Sequence, residues 1–288
     1  MKFEENVSPG AARSMRSAQA AMLMPEANRP VALHWYSPEL AGEPYTGATL
    51  LWLHGGGFFR GSPRQPEAHA VAQSLARRGV QVVTVGYRLA PFPGLPSRGS
   101  RVLRGRGRYP LALIDVLDAF ARVEEGSRGG VILGGASAGA CLAAAATLAV
   151  IDKGSRPVGS LFAYGFFHGR HPAVPDQLQR SRGHRRFTHA TWALNAANRN
   201  YVDSPRDLAD RLAFPGGHDV AAFPRALVLN AERDNMRASG DAFADELRTS
   251  GVAVEHHVLP GSSHAFLNHP RRPDFETATA LMARWALA

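Results

Sequence analysis

Val131-Ile-Leu-Gly-Gly-Ala-Ser137-Ala-Gly139-Ala-Cys141-Leu142 is the stretch whose reading decides the fold, with the alanine-rich run to Ile151 behind it. Val131 to Leu133 is a short apolar run of the kind that forms a buried strand, and the alanine-rich run after Ser137 is a strong helix former. Between them Gly135-x-Ser137-x-Gly139 places a serine on a tight strand-to-helix turn, where flanking glycines let the backbone pass without side-chain clash. The helix start offers free N–H groups and the positive end of a dipole to any negative charge formed there. The pattern alone is weak, since about 0.2 chance matches are expected in a chain of this composition. Its weight comes from the strand before it and the helix after it.

Outward from this unit, strands and helices alternate, which argues for a mostly parallel sheet covered on both faces. Val31–Tyr36 reads as an early strand, and Thr49–Leu53 as a buried strand ending at a glycine cluster. Pro66–Arg78 has helical spacing, with Ala68, Val71, Ala72 and Leu75 on one face. Val80–Val85 is the next strand, Leu111–Val123 the next helix and Val158–Tyr164 another strand. From about Phe166 to Gly217 the periodicity fades, apart from a helical stretch near Thr188–Tyr201. It resumes with strand Ala226–Asn230, helix Ser239–Ser250, strand Val252–Leu259 and a last helix from about Phe275 to Leu287. The 288 residues therefore read as a single α/β domain without internal repeats. A helical pattern at Ala11–Leu23 suggests that residues 1–30, together with 166–217, cap the sheet edge. The arginine-rich stretch 92–108, with four glycines, reads as a mobile loop.

Composition narrows the class. Hydrophobic residues at 45% and charged residues at 20% suit a globular chain with enough apolar material for a doubly covered sheet. A lone cysteine, Cys141, excludes an internal disulfide and a cysteine-rich zinc site. Met1–Val7 lacks the basic start and apolar run of a secretory signal, and Ala138–Ile151 is too short to span a bilayer; a cytoplasmic address and no membrane span are expected. The net charge of +9 is partly local, with Arg98, Arg101, Arg104, Arg106 and Arg108 in one loop and Arg180, Arg182, Arg185 and Arg186 in another. Neither cluster has the interleaved aromatics or framework of a nucleic-acid binder, so solvated surface loops are favoured over an anionic partner and no nucleic acid is expected.

A serine hydroxyl is a weak nucleophile until a base takes its proton. His264, in Gly261-Ser-Ser-His264-Ala-Phe266 just past a strand, is the candidate base. Asp234, in the turn after strand Ala226–Asn230, is the candidate acid, preferred to Glu232, which sits nearer the strand. Both fall at carboxyl ends of strands, the edge where open α/β sheets place their sites. His54-Gly55-Gly56-Gly57 follows the Thr49–Leu53 strand and could be a plain tight turn. Paired with the serine, it reads better as an oxyanion loop, with N–H groups of Gly55, Gly56 and Ala138 as donors and His54 as a brace. Pocket walls are sought among Phe58, Phe166, Phe167, Trp192 and Phe214, each of which is equally a core candidate.

In these motifs, together with Tyr87-Arg-Leu-Ala-Pro91, the chain resembles the hormone-sensitive-lipase-like branch of the α/β-hydrolase fold, the bacterial esterases and arylacetamide deacetylases. The resemblance runs from about Thr49 to the C-terminus. It implies a helical cap over an α/β-hydrolase core, a serine carboxylesterase acting on short- to medium-chain esters through an acyl-enzyme, and no cofactor or metal. The chain departs from the family pattern at Ala136, where an acidic residue is usual, at Ala140 in place of glycine, at Phe92 in place of glutamate and at Ala238 in place of an acid; Asp115 matches a common carboxylate. None of these removes a catalytic group. Two rivals share the scaffold: an amidase or deacetylase with the same three residues, and a non-catalytic ligand-binding module. The expected partner is a small-molecule ester, and a homodimer stays open.

Overall fold

Along the central strands consecutive residues are all buried, and their side chains divide between two apolar layers. Leu51, Leu53, Val83, Leu133 and Phe162 belong to one layer; Leu50, Trp52, Val82, Ile132 and Leu161 belong to the other. This is the signature of a sheet covered on both faces. A computed structural model describes residues 31–39, 45–94, 105–173 and 180–288. The chain divides after residue 30, and the architecture is that of the unit 31–288. The expected helix at Ala11–Leu23 and the 1–30 part of the cap lie outside the described residues, as do 174–179 of the central segment and 95–104 of the arginine-rich stretch.

Among the described residues seven strands form one sheet in the order β1-β3-β2-β4-β5-β6-β7. They are β1 (Leu33–Tyr36), β2 (Thr49–Leu53), β3 (Val82–Val85), β4 (Val131–Ala136), β5 (Gly159–Ala163), β6 (Ala226–Arg233) and β7 (Val254–Ser263). Only β1, at one edge, runs antiparallel to its neighbour; the other pairings are parallel. The first layer is covered by α2 (Leu111–Gly126), α3 (Ala138–Asp152) and α6 (Arg237–Thr249), and the second by α1 (Pro66–Arg77) and α7 (Pro273–Leu287). Helix α3 is buried from Ala138 to Val150 on every side, which explains its alanines. Small side chains let it lie close on β2, β4 and β5. Among its described residues the central segment contains the one-turn helix α4 (Arg185–Thr188), then α5 (Thr191–Tyr201) and a 3-10 helix at Pro205–Ala209.

Two boundaries differ from expectation in a way that matters. Strand β6 continues three residues beyond Asn230, and β7 runs four residues beyond Leu259 to Ser263. The parallel ladder recovers after an irregularity and pairs Arg233 with Ser263. Backbone pairing thus carries polar residues that apolar periodicity does not mark. Asp234 and His264 consequently follow directly on adjacent strand ends. The end of the 92–108 stretch carries contacts that its composition does not show. Arg106 donates to Phe59 O at 2.7 Å and Ala90 O at 2.8 Å, its guanidinium lies 4.3 Å from the Phe92 ring centre, and Arg108 donates to Asn200 O. These bonds tie Arg106 and Arg108 to the body.

Candidate active site

Ser137 sits where β4 ends and α3 begins, with φ 54° and ψ −120°. A non-glycine residue in that region carries about 1–3 kcal/mol of strain, held by its surroundings. The surroundings are tight. A Cβ on Gly139 would lie 2.3 Å from Leu53 O and 2.4 Å from His54 O, and one on Gly135 would lie 2.4 Å from Gly139 O. The turn therefore requires both glycines. Ser137 N–H donates to Ala163 O at 2.9 Å, which fixes the serine against β5.

Ser137 Oγ lies 3.1 Å from His264 Nε2, and His264 Nδ1 lies 2.6 Å from Asp234 Oδ2. A proton on Nδ1, facing the carboxylate, leaves Nε2 free to accept from the serine. Asp234 Oδ1 accepts the Met236 N–H at 3.0 Å. Asp234 is fully buried, which works against its charge; the His264 and His189 imidazoles outweigh burial and hold the carboxyl well below the usual carboxylate range. Glu232 accepts Gly261 N–H at 2.8 Å, bracing the loop that carries His264. The three residues singled out in the sequence meet at one sheet edge.

The glycine loop 55–57, expected to hold an oxyanion, differs from expectation at one residue. Gly55 N–H is donated to Glu67 Oε1 at 2.8 Å, so it is not available to a ligand. Gly56 and Gly57, with φ of 127° and 61°, line the cavity instead. Ala138 is the first residue of α3, so its N–H has no acceptor four residues back in the helix. His54 braces, as expected. Its ring stacks on Tyr87 at 4.3 Å, Tyr87 hydroxyl donates to His54 O at 2.6 Å, and burial lowers its pKa from 6.5 to about 4. Beside Tyr87, Arg88 forms an ion pair with Asp115 at 2.7 Å.

Two residues that sequence reading passed over join the site. Glu67, second residue of α1, is buried; besides Gly55 it accepts from Gln65 Nε2 at 2.6 Å and from Tyr164 hydroxyl at 2.9 Å. The Tyr164 ring lies edge-on to His264 at 5.0 Å. Burial pushes the Glu67 carboxyl above the ordinary carboxylate range. His189 lies edge-on to His264 at 4.7 Å with Nδ1 3.7 Å from Asp234 Oδ1, and burial lowers its pKa. Asn235 anchors that wall, donating its side-chain N–H to His189 O at 3.0 Å. Neither residue had a spacing signal. Glu67 sits on the expected helix but off its apolar stripe, and His189 is one histidine in an irregular stretch.

A cavity of about 670 Å³ opens onto Ser137 and His264. Phe59, Phe187, Trp192 and Met236 are among its walls, whereas Phe58, Phe166, Phe167 and Phe214 are core residues and do not line it. Of the expected pocket aromatics, only Trp192 is there. His189, Asp234 and His264 present ligand atoms within 4.8 Å of one another, the one such group among the described residues. His264 Nδ1 is already committed to the carboxylate. No helix among the described residues is long and apolar enough to cross a membrane.

A family described by the alpha/beta hydrolase fold matches residues 50–268. An ethyl acetate hydrolase of Pseudomonas putida is 32% identical over 244 residues, covering 81% of this chain and 70% of its own. An esterase of Pyrobaculum calidifontis superposes with a TM-score of 0.71 at 25% identity, over 100% of this chain and 96% of the esterase. A brefeldin A esterase described as a bacterial homologue of human hormone-sensitive lipase reaches 0.74 at 22% identity, covering 96% of this chain and 84% of its own, a likeness of fold.

Proposed function

This chain belongs to the alpha/beta-hydrolase-fold family, and from that premise we propose that it is a serine carboxylesterase of the hormone-sensitive-lipase-like branch, hydrolysing short- to medium-chain carboxylic esters with Ser137, His264 and Asp234. The observation that carries the reading is the unbroken chain Ser137 Oγ, His264 imidazole and Asp234 carboxylate, at 3.1 and 2.6 Å, opening on a cavity. The names of the Pseudomonas and Pyrobaculum relatives support ester hydrolysis as the reaction.

His264 takes the serine proton as Oγ attacks the ester carbonyl, and Asp234 holds the imidazole tautomer and stabilises the imidazolium. The oxyanion is assigned to the N–H groups of Gly56, Gly57 and Ala138, with Gly55 serving Glu67. One such donor contributes about 3–4 kcal/mol to the transition state. His264 protonates the departing alcohol, then activates water, which adds hydroxide to the acyl carbon and frees Ser137 and the acid. The irregular segment 166–217 supplies one wall of the cavity through Trp192 and its neighbours.

Ser137→Ala is expected to abolish turnover of p-nitrophenyl acetate and butyrate. A fluorophosphonate probe should label the wild type once per chain and leave the variant unlabelled. Retained turnover in the variant would overturn the assignment.

A further inference from the structure

The cavity is charged in one sense. Arg60 and Arg185 both line it, as does His184, while among the described residues the only carboxylate lining it is Glu67. That carboxylate is buried and fully engaged with Gly55, Gln65 and Tyr164, and burial favours its neutral form. It cannot balance two guanidinium groups nearer the solvent. Other arginines of the chain are neutralised by acids. Arg78, Arg88, Arg211, Arg237 and Arg284 are all ion-paired. Among the described residues no carboxylate lies within ion-pair distance of Arg60 or Arg185.

Their placement gives the charge a direction. Arg60 sits on the oxyanion loop, its N–H donating to Gly56 O at 3.1 Å and its guanidinium 5.8 Å from the Phe59 ring centre. Arg185 donates to the carbonyl of His264 itself, so its guanidinium is anchored on the residue that must protonate the leaving alcohol. Arg185 uses one of its five N–H donors there. Beside it, Phe187 is 68% exposed and Trp192 70% exposed, both lining the same cavity. Apolar faces of that size, left in water at a cavity wall, suit a flat ring in the ligand.

We infer that the leaving-group side of this cavity is an anion subsite. Its substrates are esters of short acids with an aromatic alcohol that carries an ionised carboxylate, bound by Arg60 and Arg185 with the ring against Phe187 and Trp192. The inference rests on the hydrolase reading above and specifies its substrate. The reaction is unchanged: the acyl–oxygen bond breaks, water supplies hydroxide to the acyl carbon, and the phenol leaves with the proton from His264. Two partly hydrated guanidinium groups on one carboxylate correspond to about tenfold in kcat/KM, an effect that salt screens.

The test compares 4-acetoxyphenylacetate with its neutral amide, 4-acetoxyphenylacetamide. The methylene insulates the phenol, so leaving-group reactivity is matched and only the remote charge differs. At pH 7.5 and low salt the acid is expected to exceed the amide in kcat/KM by about tenfold, falling toward parity in 0.5 M NaCl. Arg60→Gln and the double variant with Arg185→Gln should lower the ratio stepwise to about one. Fluorophosphonate labelling of Ser137 in each variant verifies an intact site, and the Arg60 variant alone suffices if the double variant does not fold. Equal turnover of acid and amide, a preference for the amide, or a preference that survives both substitutions and high salt overturns the anion subsite. In those cases the hydrolase reading stands as long as labelling persists. Absence of both turnover and labelling overturns the two together.

Discussion

Glu67 accepts hydrogen bonds from Gly55 N–H, Gln65 and Tyr164, so an alanine in its place strands buried donors on two sides of the site. Each stranded buried donor costs about 1–3 kcal/mol. Glu67→Ala is therefore expected to lower the unfolding free energy by about 3 kcal/mol and kcat by about tenfold or more, with KM nearly unchanged, because the residue acts through the loop and through Tyr164 rather than on bound ester. Urea unfolding and steady-state kinetics measure both, and Glu67→Gln should recover part of each loss. His54 makes a different prediction. Its pKa falls from 6.5 to about 4 because burial disfavours the charged ring. Between those values the unfolded chain binds the proton and the folded chain does not, so stability is full above pH 6.5 and declines as the pH falls toward 4. The total is about 3 kcal/mol at 1.4 kcal/mol per pH unit. Denaturant midpoints measured from pH 7.5 to 4 should show that slope, and His54→Asn should flatten it.

Among the elements, the turn from β4 into α3 is the most demanding. Gly139→Ala would drive a methyl into Leu53 O and His54 O, so a loss of about 3 kcal/mol in stability and nearly all hydrolysis is expected, read by thermal unfolding and by p-nitrophenyl butyrate turnover. The elements themselves were mostly legible. Buried strands such as Thr49–Leu53 are unbroken apolar runs, and α3 declares itself by alanine. What escaped notice is what backbone bonding alone decides. Polar residues at the ends of β6 and β7 stay in the ladder, although nothing in Ala231-Glu-Arg233 or Pro260-Gly-Ser-Ser263 has strand periodicity. The mistaken donor Gly55 is the same case, since its commitment to Glu67, twelve residues on, is invisible to a glycine count. The meeting of Ser137, Asp234 and His264 could be anticipated because carboxyl ends of parallel strands face one way. His189 could not, because its wall is held by Asn235, and that bond follows from no spacing.

For the whole molecule, the two ends of the sheet separate stability from chemistry. Trp285 of α7 packs against Gly159 at the start of β5, the end of the strand away from the site, and carries the Arg225 guanidinium at 4.1 Å. Trp285→Ala is expected to cost about 3–5 kcal/mol in chemical unfolding while kcat/KM per folded molecule stays within about twofold. A large fall in the kinetics of the folded fraction would show that the two ends are not independent.

The order of the sheet adds one consequence. Asp234 and His264 hang from neighbouring strands whose ladder is closed up to Arg233 and Ser263, whereas Ser137 ends a strand two places further in. Thermal twisting of the sheet moves the acid and the imidazole as one body and slides that body against the serine. The 3.1 Å gap is thus the compliant joint, and the 2.6 Å contact the stiff one. On warming, proton hand-off from the hydroxyl would slacken while the hydrogen bond behind it still holds. Catalytic rate should then level off some degrees before the fold melts.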